Sequence, residues 1–69
     1  MSPKRLSRVI QQLREQHEPK MTQRDLAKAA KVTRGYIAQL EMGLKKNPSL
    51  DVLQRIAKAL GVPVTELLE

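Results

Sequence analysis

A chain of 69 residues forms one domain with a small core, so most of its apolar side chains are committed to packing and little is left to line a buried catalytic pocket. It has no Cys, no Trp, no Phe and one Tyr, which excludes disulfides, thiolate metal sites and cysteine nucleophiles and leaves an aliphatic core of the kind short helices share at close range. The net charge of +6 is uneven, with +3 on residues 1–20, +4 on 21–48 and −1 on 49–69; a positive field confined to the first two thirds has the form of a polyanion-binding face, or of a basic surface serving solubility alone.

Leu6, Val9, Ile10 and Leu13 recur at helical spacing, with Lys4, Arg5, Arg8, Gln12 and Gln16 on the other side, which predicts an amphipathic first helix from about Pro3 to Gln16, ended by His17, Glu18 and Pro19. Thr22, followed three residues later by Asp25, is a capping-box variant that opens a second helix carrying Leu26, Ala27 and Ala30 inward. Lys31 and Val32 make a short turn. Thr33 is a second N-cap, opening a third helix in which Ile37 and Leu40 point inward until Gly43 stops it. After the basic loop LKKNP, Ser49 caps a fourth helix with an inward stripe of Leu50, Leu53, Ile56, Ala57 and Leu60, closed by Gly61. Pro63 begins a last short turn of helix carrying Val64, Leu67 and Leu68. The expected architecture is all-α, a compact bundle of five helices without repeats or low-complexity linkers.

Two short helices joined by a tight turn share a core only if the residue at their crossing is small and those further out are bulky. Ala27 is the small residue, and Leu26, Ala30, Val32, Ile37 and Leu40 supply the bulk; from Gln23 to Met42 this placement matches the helix-turn-helix pattern. The stretch TQRDLAKAAKVTRGYIAQLEMG, followed by NPSLDVLQRIAKALGV, resembles the DNA-binding domain of the lambda-repressor and Cro superfamily, the XRE family. The resemblance runs from about Leu6 to Leu68, and the combination TQ, LA, GYI, LE, G, NPSL and AKALGV is specific. It implies one domain over residues 1–69 with its helix-turn-helix unit at about 22–43. It further implies a two-fold homodimer that places the third helix, from Arg34 to Met42, in the major groove of double-stranded DNA at a pseudo-palindromic operator and regulates transcription, a repressor being the expected form.

With Ile37 and Leu40 inward, the helical period turns Arg34, Gly35, Tyr36 and Gln39 outward, beside Thr33 at the cap. In the implied docking these five are the base-reading set: Arg34 can donate twice to guanine, Gln39 can pair with adenine, Tyr36 offers a ring to a thymine methyl or a hydroxyl to phosphate, and Gly35 allows close approach. Arg34 touching phosphate, Tyr36 lying across aliphatic side chains and Gln39 as solvent-facing filler are the competing readings. The resemblance places phosphate contacts at Thr22, Gln23 and Arg24, and at Lys45, Lys46 and Asn47 in the loop after the reading helix. Lys4, Arg5 and Arg8 either decorate the first helix or lie along the duplex flank. Arg14 and Glu41 occupy places where the family often carries an ion pair joining the first and third helices. Three departures stand out: Lys31 where the family's turn commonly has Gly, at a cost of about 1 kcal/mol in a left-handed conformation, Met42 where many relatives carry Arg or Asn, and a loop from Arg14 to Thr22 longer than is typical, which bears on the placing of Arg14.

An enzyme is not expected, because the single His17, beside Glu18 in a loop, finds no nucleophile, base or metal constellation; no cofactor and no metal site are expected either. No apolar run approaches the roughly 18 residues needed to span a bilayer and no signal-type segment opens the chain, so a soluble, cytoplasmic protein of bacterial, phage or plasmid type is expected. Dimerisation is assigned to Val62, Val64, Leu67 and Leu68, which exceed what so short a helix buries internally, with capping of the core as the competing reading. The alternative function is an antitoxin or protein-interaction module of the same fold, in which a helical face engages a protein partner.

Overall fold

Four helix starts in the computed structural model, which describes residues 2–45 and 47–68, are each made by a hydroxyl. Ser2, Thr22, Thr33 and Ser49 accept from the backbone N–H three residues on, at 3.0 to 3.2 Å, and so satisfy a donor that has no partner inside the helix. The helices that follow are α1 (Pro3–Gln16), α2 (Gln23–Ala30), α3 (Arg34–Glu41) and α4 (Leu50–Leu60), with a short α5 (Thr65–Leu68) after them. At Thr22 the box is complete, because Asp25 Oδ2 accepts the Thr22 N–H in return at 3.0 Å.

The ends of α2, α3 and α4 share one device. At each, a residue in the left-handed region turns the chain, and two backbone N–H groups bond back into the last turn: Lys31 and Val32 to Lys28 and Ala27, Gly43 and Leu44 to Leu40 and Gln39, Gly61 and Val62 to Lys58 and Ala57. Gly43 and Gly61 adopt φ of 74° and 73° without a Cβ penalty, whereas Lys31 adopts φ 60° with one.

The core is aliphatic throughout: Leu6 and Ile10 of α1, Leu26, Ala27 and Ala30 of α2, Ile37 and Leu40 of α3, Leu53, Ile56, Ala57 and Leu60 of α4, and Leu67 of α5. α2 packs on both α3 and α4, while α1 bridges α3 and α5, so α3 is braced from two sides. Two expectations are corrected here. Leu50 does not join the inward stripe of α4: it is 54% exposed, because it is the first residue of the helix and the packed surface begins one turn later at Leu53. Leu67 is wholly buried and Val62 and Val64 pack partly buried against the core, so the C-terminal cluster closes the bundle and only Leu68, 39% exposed, is left facing outward for an interface there.

Candidate nucleic-acid interface

α3 has one covered and one uncovered side. Its buried residues are Ile37, Leu40 and Glu41, and its exposed ones are Arg34, Gly35 and Gln39, with the Thr33 cap exposed beside them. Tyr36 departs from full exposure: it is half-buried against the core, and Lys45 Nζ stands 5.2 Å from its ring centroid. A ring seated this way is fixed in place, with a cation over its π face. Gly35 is not demanded by the fold. A Cβ built there would meet nothing closer than Thr33 Oγ1 at 3.9 Å, and its backbone is ordinary helix, so the missing side chain leaves open surface rather than relieving a clash.

Beside this face lies a cleft of about 740 Å³ at the start of α2, lined by Arg14, Lys20, Arg24 and Arg34 together with Thr22 and Gln23, against the acid Glu15. Three basic side chains, Lys20, Arg24 and Arg34, line it beside Arg14, whose charge is matched by Glu41 behind the cleft. Asp25 sits in the first turn of α2. Its carboxyl lies below the usual carboxylate range because the Thr22 backbone N–H, and then the Thr22 hydroxyl, bond to its charged form. Of the loop residues expected at phosphate, Lys45 is half-buried over Tyr36, Asn47 is exposed, and Lys46 lies outside the described residues.

Behind the cleft, Glu41 gathers donors from two helices. Arg14 Nε and Nη2 reach its two carboxylate oxygens at 2.7 and 2.9 Å, and Gln23 Nε2 reaches Oε1 at 3.0 Å. Arg14 Nη1 also donates to the Met21 carbonyl at 3.0 Å, tying the segment that leads into α2. The ion pair is withdrawn from water, with side chains 14% and 4% exposed, and the bond to Glu41 raises the Arg14 pKa above its ordinary value against the opposing effect of burial. The Glu41 backbone carbonyl is covered as well, by the Ser7 hydroxyl and by Gln11 Nε2 at 2.8 Å. Sequence reading missed Ser7 and Gln11. The signal was present, since Ser7, Gln11 and Arg14 follow one another at helical spacing in a polar stripe beside the apolar one of α1. Gln23, expected at phosphate, thus has one amide N–H turned inward while it lines the cleft.

Among the described residues no helix is long and apolar enough to cross a membrane, and no group of three or more His, Cys, Asp or Glu is placed to hold a metal ion. Two eight-residue helices joined by a left-handed turn, one with an uncovered face and the other with a basic cleft at its start, define a helix-turn-helix unit. A helix-turn-helix family model matches residues 10–67, and the chain belongs to that family, of the lambda-repressor and Cro-like (XRE) kind. It is 38% identical over 63 residues to the HTH-type transcriptional regulator DdrOP3 of Deinococcus deserti, a match covering 90% of this chain and 48% of that protein. It is 41% identical over 51 residues to the immunity repressor protein of Bacillus phage phi105, covering 74% of this chain and 35% of that one. The chain therefore spans half or less of the length of these curated relatives. The crystal structure of the restriction-modification controller protein C.AhdI from Aeromonas hydrophila superposes with a TM-score of 0.85 at 26% identity, covering 94% of each chain.

Proposed function

We propose that this chain is a sequence-specific, double-stranded DNA-binding regulator of transcription, a repressor acting in the cytoplasm, and a binding protein rather than an enzyme. The observation that carries the reading is the uncovered side of α3, where Thr33, Arg34, Gly35 and Gln39 stand together, all exposed among the described residues. A helix with its side chains is about 10–12 Å across and the major groove about 12 Å wide, so the eight-residue α3 fits as a single probe. Arg34 and Gln39 carry the paired donors and acceptors that distinguish guanine and adenine edges, and the seated Tyr36 ring presents an apolar edge for a thymine methyl. The cleft at the start of α2 takes the adjoining backbone through Thr22, Gln23 and Arg24, and Lys45, Lys46 and Asn47 hold the backbone beyond the other end of α3.

The longest dimension of the molecule is 27 Å, shorter than the roughly 34 Å between half-site centres one helical turn apart, so one copy reads one half-site and a homodimer reads a pseudo-palindromic operator. With Leu67 in the core, the apolar surface available to a second copy among the described residues is Met42, Leu44, Leu50 and Leu68. Selection of binding sites from random duplexes, followed by titration of the winner, tests the reading. A recovered sequence with two-fold symmetry that binds far tighter than an unselected duplex supports it; recovery of no consensus overturns it. Sedimentation at high concentration without DNA tests the dimer, which a strictly monomeric species binding a lone half-site would remove.

A further inference from the structure

The first residue of α2, Gln23, lines the basic cleft, yet its side chain is anchored from behind. Its Nε2 donates to Glu41 Oε1 at 3.0 Å, and that carboxylate is itself held at 2.7 and 2.9 Å by Arg14, whose third nitrogen ties down the Met21 carbonyl ahead of α2. The amide group is planar, with two diverging N–H donors and one acceptor oxygen. Once one N–H is committed to Glu41, the direction of the other follows. We infer that Glu41 is a positioning residue for duplex binding: it aims the second N–H of Gln23 into the cleft, toward a backbone phosphate oxygen. Glu41 belongs to α3 and Gln23 to α2, so this bond sets the backbone clamp in register with the reading helix. The inference rests on the proposed duplex binding and adds a role for Glu41 beyond holding α3 to α1.

A neutral amide releases no counterion when it meets a phosphate, so its loss weakens binding without changing the dependence on salt. Duplex affinity is measured across a salt series, below each protein's melting temperature, for the wild type, Gln23→Ala, the paired replacement of Arg14 and Glu41 by Met, the triple variant that combines them, and Gln11→Ala. Gln23→Ala is expected to weaken binding about tenfold, the worth of one hydrogen bond from a neutral donor to a charged acceptor, with the salt slope unchanged. The paired replacement, which keeps the net charge and removes the anchor, is expected to lose a similar factor, and the triple variant no more than either alone. Gln11→Ala removes a bond to the Glu41 backbone and leaves affinity within about twofold, separating positioning from stability. Independent losses, about 100-fold in the triple variant, or wild-type affinity in the paired replacement, overturn the inference. A DNA-free readout separates this inference from the proposed function: in the free protein one Gln23 side-chain amide proton is expected to exchange slowly with solvent. Two fast-exchanging protons would overturn the positioning role even if duplexes bind, whereas slow exchange in a protein that binds no duplex would overturn the proposed function alone.

Discussion

Gly35 is the residue where stability and function pull apart. A helical glycine costs roughly 0.5–1 kcal/mol relative to alanine, and the space beside it is open. Gly35→Ala is therefore expected to raise the melting temperature while weakening duplex binding about tenfold, because the added methyl stands on the face that would meet the bases. Thermal unfolding and duplex titration of the same variant check both halves; equal affinity would mean that the glycine serves no close approach. Lys31 is the converse case. It holds at the end of α2 the left-handed place that Gly43 and Gly61 hold at the ends of α3 and α4, so Lys31→Gly is expected to stabilise the fold by about 0.5–1 kcal/mol, read from a higher urea midpoint at unchanged slope. Its carbonyl, which accepts from Arg55 Nη1 at 3.4 Å, survives the change. At Asp25 the folded-state pKa is depressed, so its contribution is in place above the unfolded value near 3.9 and is lost as pH falls through the lower folded value. The gap in melting temperature between the wild type and Asp25→Ala should hold from neutral pH down to about 4 and close below it. A gap that is independent of acid pH would leave the carboxylate without a role in the cap.

At the scale of elements, α3 is kept in place by contacts of two kinds, the apolar pair Ile37 and Leu40 and the polar cluster on Glu41. Removing one partner of a withdrawn ion pair leaves the other uncompensated, so Glu41→Ala is expected to cost about 3 kcal/mol, well beyond a surface change, whereas replacing Arg14 and Glu41 together costs much less. Chemical denaturation of the three proteins checks this, and an unchanged midpoint in Glu41→Ala would contradict it. The helix starts and stops were legible because capping is local: a hydroxyl with its backbone N–H three residues on, or a left-handed residue after the last turn, lies within one window of sequence. The Arg14 and Glu41 positions were legible only through resemblance. Ser7, Gln11 and the inward turn of Gln23 were not, since all three act on one residue far along the chain and depend on where α1 and α2 cross α3. Leu50 and Leu67 misled for a related reason: periodicity says which side of a helix is apolar but not where the packed surface begins and ends, so one leucine expected inward is exposed and one expected at an interface is buried.

Over the whole molecule, the positive charge lies on the first two thirds of the chain, with Lys20, Arg24 and Arg34 lining the cleft at the start of α2 together with Arg14, and the last third, which carries α4 and α5, is slightly acidic. In the proposed function that asymmetry orients the molecule toward a polyanion, while the side chains on α3 decide which sequence is held. The two contributions separate experimentally. Lys45→Ala should weaken every duplex to a similar degree and reduce the logarithmic salt slope by about 0.9, whereas Gln39→Ala should leave the slope alone and relax preference at one base position. The most direct measurement is a titration of the wild-type protein with its selected duplex and with single-base variants of it over a range of salt. Linear loss of log affinity with log salt for all duplexes, with a few base changes each costing roughly 1–3 kcal/mol, is the expected result. No complex in dilute buffer, or one affinity shared by every sequence, would contradict it.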